Sequence, residues 1–122
     1  AAGNGRMDPA KGEIAMLAWI LLACAGALEI VWAYAMKLSE GYTRPVPTGV
    51  MVVAMIGSFW LLSNAMRTLP LGTAYAVWTG IGAAGAFVVG IVALGEPVTP
   101  LRVLAAVLIV AGIVLFKVSS PG

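Results

Sequence analysis

A single glutamate, Glu29, stands in the middle of an apolar stretch that runs from Met16 to Met36. A lone carboxylate is costly in hydrocarbon, and charged groups at membrane depth usually line a water-filled path or bind a cation or a proton. The stretch contains no basic residue that could neutralise the acid. The sequence therefore predicts that Glu29 binds or moves protons, cations or both.

Helical spacing places further polar and aromatic groups near this acid. Trp32 follows Glu29 by three residues and shares its helix face, and the missing side chain of Gly26 leaves space beside the carboxylate. Hydroxyl and indole groups in the later apolar stretches could join them, and the candidate binding residues are then Glu29, Gly26, Trp32, Ser58, Tyr75 and Trp78. A carboxylate, aromatic faces and hydrogen-bond donors together suit an organic cation.

Some of these residues have a simpler interpretation. Trp and Tyr often form belts at membrane surfaces, and Tyr75 and Trp78 lie only a few residues inside their apolar stretch. The hydroxyl of Ser58 could also bond to a carbonyl of its own helix. The sequence alone leaves both alternatives open.

Four apolar stretches must position these groups, and a spanning helix needs about 20 such residues. The stretches are 16–36, 47–66, 71–95 and 101–116. Their short connections predict that consecutive helices are antiparallel neighbours. We therefore expect an all-α membrane protein with one four-helix transmembrane unit, residues 16–118. Residues 1–15 are interpreted as a disordered tail, either native or left by cloning, and residues 119–122 as a C-terminal tail.

Composition excludes several classes of function. Hydrophobic residues make up 61% of the chain and charged residues 10%, against about 25% charged in a typical soluble domain. A net charge of +2 is too small for nucleic-acid binding. The chain has no histidine, and its one cysteine, Cys24, lies in an apolar stretch. A zinc or haem site is therefore disfavoured, and we expect no cofactor and no metal.

One motif resembles a nucleotide-binding fingerprint without its context. Gly80-Ile-Gly82-Ala-Ala-Gly85 has the G-x-G-x-x-G spacing, but that fingerprint requires a preceding strand in a βαβ unit. Here it lies inside a membrane span. Because glycine weakens a helix by about 1 kcal/mol relative to alanine, we interpret Gly80, Gly82 and Gly85 as packing and hinge positions.

Basic residues are nearly balanced between the two sides of the predicted bundle. One side carries four (Arg6, Lys11, Arg67 and Lys117) and the other three (Lys37, Arg44 and Arg102). Because neither side has a clear excess of basic residues, the positive-inside rule predicts no fixed orientation in the membrane. This favours insertion in both orientations and permits an antiparallel dimer. Small loops with few charges are the alternative explanation. Ala105 and Gly112 share one face of the fourth stretch and are candidates for dimer packing.

The chain resembles the small multidrug resistance transporters over about residues 17–118. The segments that carry the resemblance are Glu29-Ile-Val-Trp32-Ala33, residues 36–44, residues 58–62, residues 68–82 and Glu96-Pro97. Within that family, the guanidinium exporters resemble Glu-x-x-Trp-Ala and Trp-Thr-Gly-Ile-Gly-Ala. Exporters of polyaromatic cations instead resemble Glu-x-x-x-Gly-Thr near the acid. This sequence, with Trp32-Ala33 and Trp78-Thr79-Gly80, looks like the guanidinium subtype.

The resemblance implies an antiparallel, dual-topology homodimer in the bacterial inner membrane that exchanges guanidinium for protons. Two copies of Glu29 would form the shared site. The family's hydrogen-bond network around these acids is matched by Trp32, Ser58, Tyr75 and Trp78, and Gly26 matches a small residue that lines the site. The fourth helix would be the dimerisation helix, although Ala105 stands where a glycine is common.

Other classes of function remain as alternatives. A broad-specificity exporter of quaternary ammonium ions would share the fold, but an indole beside the acid, from Trp32, should narrow the site. A structural or chaperone-like membrane subunit would need a partner chain, and the near balance of charge argues against an obligate hetero-pair. An enzyme is disfavoured, because no nucleophile–base pair is visible in the sequence.

Overall fold

The chain folds into four α-helices in a computed structural model that describes residues 9–119. The helices are α1 (Pro9–Leu38), α2 (Pro45–Ala65), α3 (Leu71–Leu94) and α4 (Pro100–Ser119). Each of the four is long and apolar enough to cross a membrane. The predicted all-α architecture with four membrane-spanning helices is therefore confirmed.

The first and last helices extend beyond the predicted apolar stretches. α1 begins at Pro9, so residues 9–15 are helical, which corrects the part of the predicted tail that the structure describes. Proline suits the first helical position because it has no backbone N–H to leave unpaired. α4 continues to Ser119, with Lys117 in its last turn, where a cation interacts favourably with the helix dipole. Residues 1–8 and 120–122 lie outside the described residues.

Tight turns connect and end the helices. In the α1–α2 connection the buried Ser39 hydroxyl donates a hydrogen bond to the carbonyl of Met36 (2.7 Å) and accepts one from the N–H of Tyr42 (3.1 Å). α3 ends at Gly95, whose φ of 67° is left-handed and whose N–H bonds to the carbonyl of Gly90. Glycine adopts this conformation without the steric cost that a Cβ brings, which explains why α3 stops there.

Helix α1 lies between α2 and α3 and packs against both. α2 and α3 are consecutive, but they pack less closely on each other than either does on α1, and they meet through side chains such as Ser58 and Trp78. α4 packs mainly on α3, and the Lys117 ammonium at its end lies over the Trp19 ring of α1 at 5.0 Å. The central position of α1 leaves α4 at the edge, where none of its residues is buried. The core is formed by small and aliphatic side chains with one indole: Ala18, Leu22, Ala25, Leu62, Ala65, Leu69, Ala74, Val77 and Trp78.

Glycines allow α1 and α3 to approach closely. A Cβ built on Gly26 of α1 would overlap the side chain of Ile81, and one built on Gly85 of α3 would overlap the side chain of Ile30. Each glycine therefore receives an isoleucine from the opposite helix. This contact explains why α1 packs on α3, which is distant in sequence, more closely than α2 does.

Candidate functional site

Glu29 lies where α1 meets α3, and one oxygen of its carboxyl group is buried there without a hydrogen-bond partner in residues 9–119. The Oε1 atom is buried and has no hydrogen-bond partner among the described residues. The carboxyl end of the side chain rests against the backbone of α3 at Gly82, in space that any side chain at position 82 would occupy. Because buried polar atoms are normally hydrogen-bonded, this oxygen marks a position where a proton, a cation or another donor would bind.

A hydrogen-bonded chain joins the three helices one turn from this acid. The indole Nε1–H of Trp78 on α3 donates to the Ser58 hydroxyl on α2 at 3.0 Å. That hydroxyl donates in turn to the carbonyl of Ala25 on α1 at 2.7 Å. Ser58 therefore bonds to a neighbouring helix. The alternative, that its hydroxyl bonds to a carbonyl of its own helix, is wrong. The chain holds the Trp78 ring in place, and Trp78 is 6% exposed.

Four aromatic rings form a continuous row next to the acid-bearing helix. Trp32 contacts Phe59 at a centroid distance of 6.4 Å, Phe59 contacts Trp78 at 5.8 Å, and Trp78 contacts Tyr75 at 5.5 Å. The rings meet edge to face or tilted, which is the favourable arrangement for aromatic pairs. Such a row presents the aromatic faces to which a planar or quaternary cation binds.

Phe59 is the member of this row that sequence reasoning missed. It follows Ser58 directly, and on a helix adjacent residues point about 100° apart, so spacing within α2 gave no reason to group the two. Its ring connects the indole of α1 to that of α3, and this role depends on how the helices pack. The only signal in the sequence was an aromatic residue beside a polar one in an apolar stretch.

Trp32 and Tyr75 both belong to the row but differ in environment. The Trp32 Nε1 atom is buried and has no hydrogen-bond partner in the part of the chain described. Tyr75 is half exposed, and its ring packs against Trp78. The structure thus groups Tyr75 and Trp78 with Trp32, as the site hypothesis predicted, although the exposed side of Tyr75 also fits a membrane-surface position.

Gly26 differs from its expected position in the site. The space that its missing side chain leaves is filled by Ile81 of α3 and is not open beside the carboxylate. Gly26 therefore serves helix packing in this structure. Gly82, whose sequence context suggests a hinge position, provides the space for the acid instead.

The hinge and dimer hypotheses stay predictions. α3 is one continuous helix through its glycines, and a Cβ on Gly80 would lie 3.0 Å from the side chain of Ile113 on α4. Gly112 has no neighbour within 4 Å of where its Cβ would be, and Ala105 is exposed. Both residues line apolar grooves between α3 and α4, and the groove at Gly112 has a volume of about 400 Å³. These open surfaces are compatible with a second copy packing there.

The chemistry of the site follows from this small set of groups. Within residues 9–119, no cluster of three or more Cys, His, Asp or Glu residues could hold a metal ion. What remains is one carboxylate with an unpaired oxygen, a wall of aromatic rings and a fixed hydroxyl. Such a site can bind a proton or an organic cation.

Comparison with known proteins shows what this chain is similar to. A family model described as Small Multidrug Resistance protein matches residues 17–109. The chain is 55% identical over 104 residues to the guanidinium exporter of Citrobacter freundii, an alignment that covers 85% of this chain and 99% of that protein. It is 52% identical over the same length and coverage to the guanidinium exporter of Escherichia coli (strain K12). The matched region contains α2 and α3 completely, most of α1, the first half of α4 and every candidate binding residue.

Proposed function

The chain belongs to the small multidrug resistance family, and we propose that it is a proton-coupled antiporter that exports guanidinium from the bacterial cell across the inner membrane. The observation that carries the proposal is the buried, unpaired Oε1 of Glu29 on the same helix as Trp32, where the row of aromatic rings begins, in a chain 55% identical to a relative named as a guanidinium exporter. Small substituted guanidinium ions fall within the proposal.

Guanidinium fits the Glu29 site by charge and by shape. It is a planar cation whose N–H groups can donate two parallel hydrogen bonds to one carboxylate. Its flat face can lie against an indole or a phenyl ring. The row begins at Trp32, three residues after Glu29 on α1, and continues to Trp78. An indole this close to the acid in the helix favours a small planar ion over a bulky quaternary ammonium ion, which is the alternative substrate class.

A second copy of the chain would complete the site. The indole N–H of Trp32 is a buried donor without an acceptor, and guanidinium, which only donates, cannot satisfy it. A carboxylate from a second copy can. Helix α4, none of whose residues is buried, also offers an apolar surface on which a second copy could pack. An antiparallel homodimer of dual topology, with two Glu29 side chains in one site, would use this surface and supply that carboxylate.

Proton coupling would follow from competition for the same carboxylates. An ionised carboxylate is costly away from water unless a cation neutralises it, so each acid holds either a proton or a share of the guanidinium charge. Occupancy by one excludes the other. Protons that bind from the outer side would therefore displace guanidinium to that side, and guanidinium that binds from the inner side would displace the protons there.

Solid-supported-membrane electrophysiology on proteoliposomes tests the proposal. Guanidinium, a bulky aromatic quaternary ammonium ion and buffer alone would be perfused over wild-type protein and over Glu29→Gln. Transport currents with guanidinium that disappear in the variant support the proposal, and an imposed proton gradient should drive uptake only in the wild type.

Two other outcomes would redirect the assignment. Large currents with the bulky cation would indicate a broad-specificity exporter of quaternary ammonium ions. Silence with both cations, from protein that remains folded by circular dichroism, would favour a non-transport role or a chain that needs a different partner. Cross-linking of cysteine pairs across α4 would test whether the chain forms homodimers.

A further inference from the structure

Where α1 contacts α3, the carboxyl group of Glu29 fills the space that a side chain at position 82 would occupy. A Cβ built on Gly82 would overlap the Cγ, Cδ and Oε1 atoms of the Glu29 side chain. The three nearest atoms all belong to Glu29, so the carboxyl group itself occupies the place of the missing side chain. Gly82 is buried in α3, and its backbone lies within the continuous helix.

This contact is steric and does not hold the carboxylate by a hydrogen bond. Oε1 has no partner among residues 9–119, and inside a helix a backbone N–H is engaged with the carbonyl four residues earlier. The position of the carboxyl group along the aromatic row is therefore limited by how closely it can approach α3. That limit depends on the absence of a side chain at position 82.

Gly85 provides an internal comparison on the same helix. A Cβ there would overlap the Cγ1 and Cδ1 atoms of Ile30, which are the end of a flexible apolar side chain. The two glycines thus make the same kind of close contact with α1, one turn apart. They differ in that Gly82 receives an acid and Gly85 receives an aliphatic group. A role in packing or bending alone would make them equivalent.

We infer that Gly82 is a positioning residue for Glu29: it sets where the carboxyl group stands, and so how strongly the site binds guanidinium and at what pH a proton replaces it. The inference rests on the proposed function. An alanine at position 82 should leave the fold intact, because the atoms that must move are the end of the Glu29 side chain. The displaced carboxyl group should no longer meet the cation in the wild-type geometry.

The test compares Gly82→Ala with Gly85→Ala in purified dimer, with wild type and Glu29→Gln as references. Guanidinium affinity is measured by isothermal titration calorimetry. A separate acid–base titration, followed by tryptophan fluorescence without guanidinium, identifies the Glu29 transition as the one missing from Glu29→Gln. We expect Gly82→Ala to weaken guanidinium binding by about tenfold or more and Gly85→Ala by less than about threefold. The pH midpoint should move only in Gly82→Ala.

Each remaining outcome decides the inference. It is overturned if Gly82→Ala matches wild type in affinity and midpoint, or if Gly85→Ala changes both as much. If wild type does not bind guanidinium, the proposed function fails, and the acid–base titration still decides the role of Gly82. If Gly82→Ala does not fold, Glu29→Asp is added to it, since the shorter side chain withdraws the carboxyl group. Recovery of folding then supports the inference, and continued misfolding overturns it.

Discussion

The hydrogen-bonded chain from Trp78 through Ser58 to Ala25 offers a quantitative test of how the site is held. Ser58→Ala removes the acceptor of the Trp78 indole N–H and the donor to the Ala25 carbonyl. Both bonds join different helices, and Ser58 is completely buried. Its removal leaves a buried indole N–H without a partner, which costs more than the loss of the bond alone.

The size of the effect follows from these two bonds. Hydrogen bonds between membrane helices contribute about 0.6 kcal/mol on average and about 1.7 kcal/mol at most. Loss of two such bonds should therefore lower the free energy of unfolding by about 1 to 2 kcal/mol, a factor of about 5 to 30 in the folded-to-unfolded ratio. Guanidinium affinity should also fall, because the Trp78 ring is no longer fixed against Phe59 and Tyr75.

A double-mutant cycle with Trp78→Phe isolates the bond from the packing. Phenylalanine removes the donor, so Ser58→Ala should cost about 1 kcal/mol less in that background than in the wild type. Unfolding would be followed by circular dichroism in mixed lipid–detergent micelles titrated with dodecyl sulfate. Ser39→Ala is the matched control: it removes the other completely buried serine hydroxyl, which lies in the α1–α2 turn.

Three results would refute this reasoning about Ser58. The first is additivity of the two substitutions within about 0.3 kcal/mol, because a direct bond must produce coupling. The second is an unchanged guanidinium affinity in Ser58→Ala, which would separate this chain from the binding site. The third is an equal loss of affinity in Ser39→Ala, which would trace the effect to general destabilisation.

Four further predictions concern individual residues. Glu29→Gln should abolish guanidinium binding and coupled transport, and proton-driven uptake that persists in this variant would contradict the mechanism. Trp32→Gly should admit bulkier cations, which competition by aromatic quaternary ammonium ions in the transport assay would reveal; an unchanged substrate profile would count against a selective role for the indole. Phe59→Ala removes two ring contacts and should weaken guanidinium binding by roughly fivefold, measured by calorimetry; equal affinity would exclude Phe59 from the site. Gly95→Ala forces a Cβ into a left-handed position with open space around it, so it should cost about 1 kcal/mol of stability and leave affinity unchanged.

The helices themselves were predictable because a membrane imposes length and apolarity on each span. Four apolar stretches gave four helices, and the stops at the α1–α2 turn and at Gly95 followed from residues that favour turns. The start of α1 was placed too late, because residues 9–15 are too polar to count as a membrane span and a helix can nevertheless extend beyond the bilayer. Local sequence did not indicate that α2 and α3, though consecutive, would each pack more closely on α1 than on each other.

The sequence by itself determined which chemical groups are available: one acid in an apolar span, a small set of indoles and hydroxyls, and a helix rich in glycine. Charge at membrane depth is so costly that Glu29 stands out without any coordinates. Only the tertiary structure decided which glycine serves which purpose, since Gly26 receives Ile81 and Gly82 receives the carboxyl group of Glu29. It also brought Phe59 between two indoles from other helices. These contacts join residues far apart in the chain, and close packing between helices, which no local pattern records, determines them.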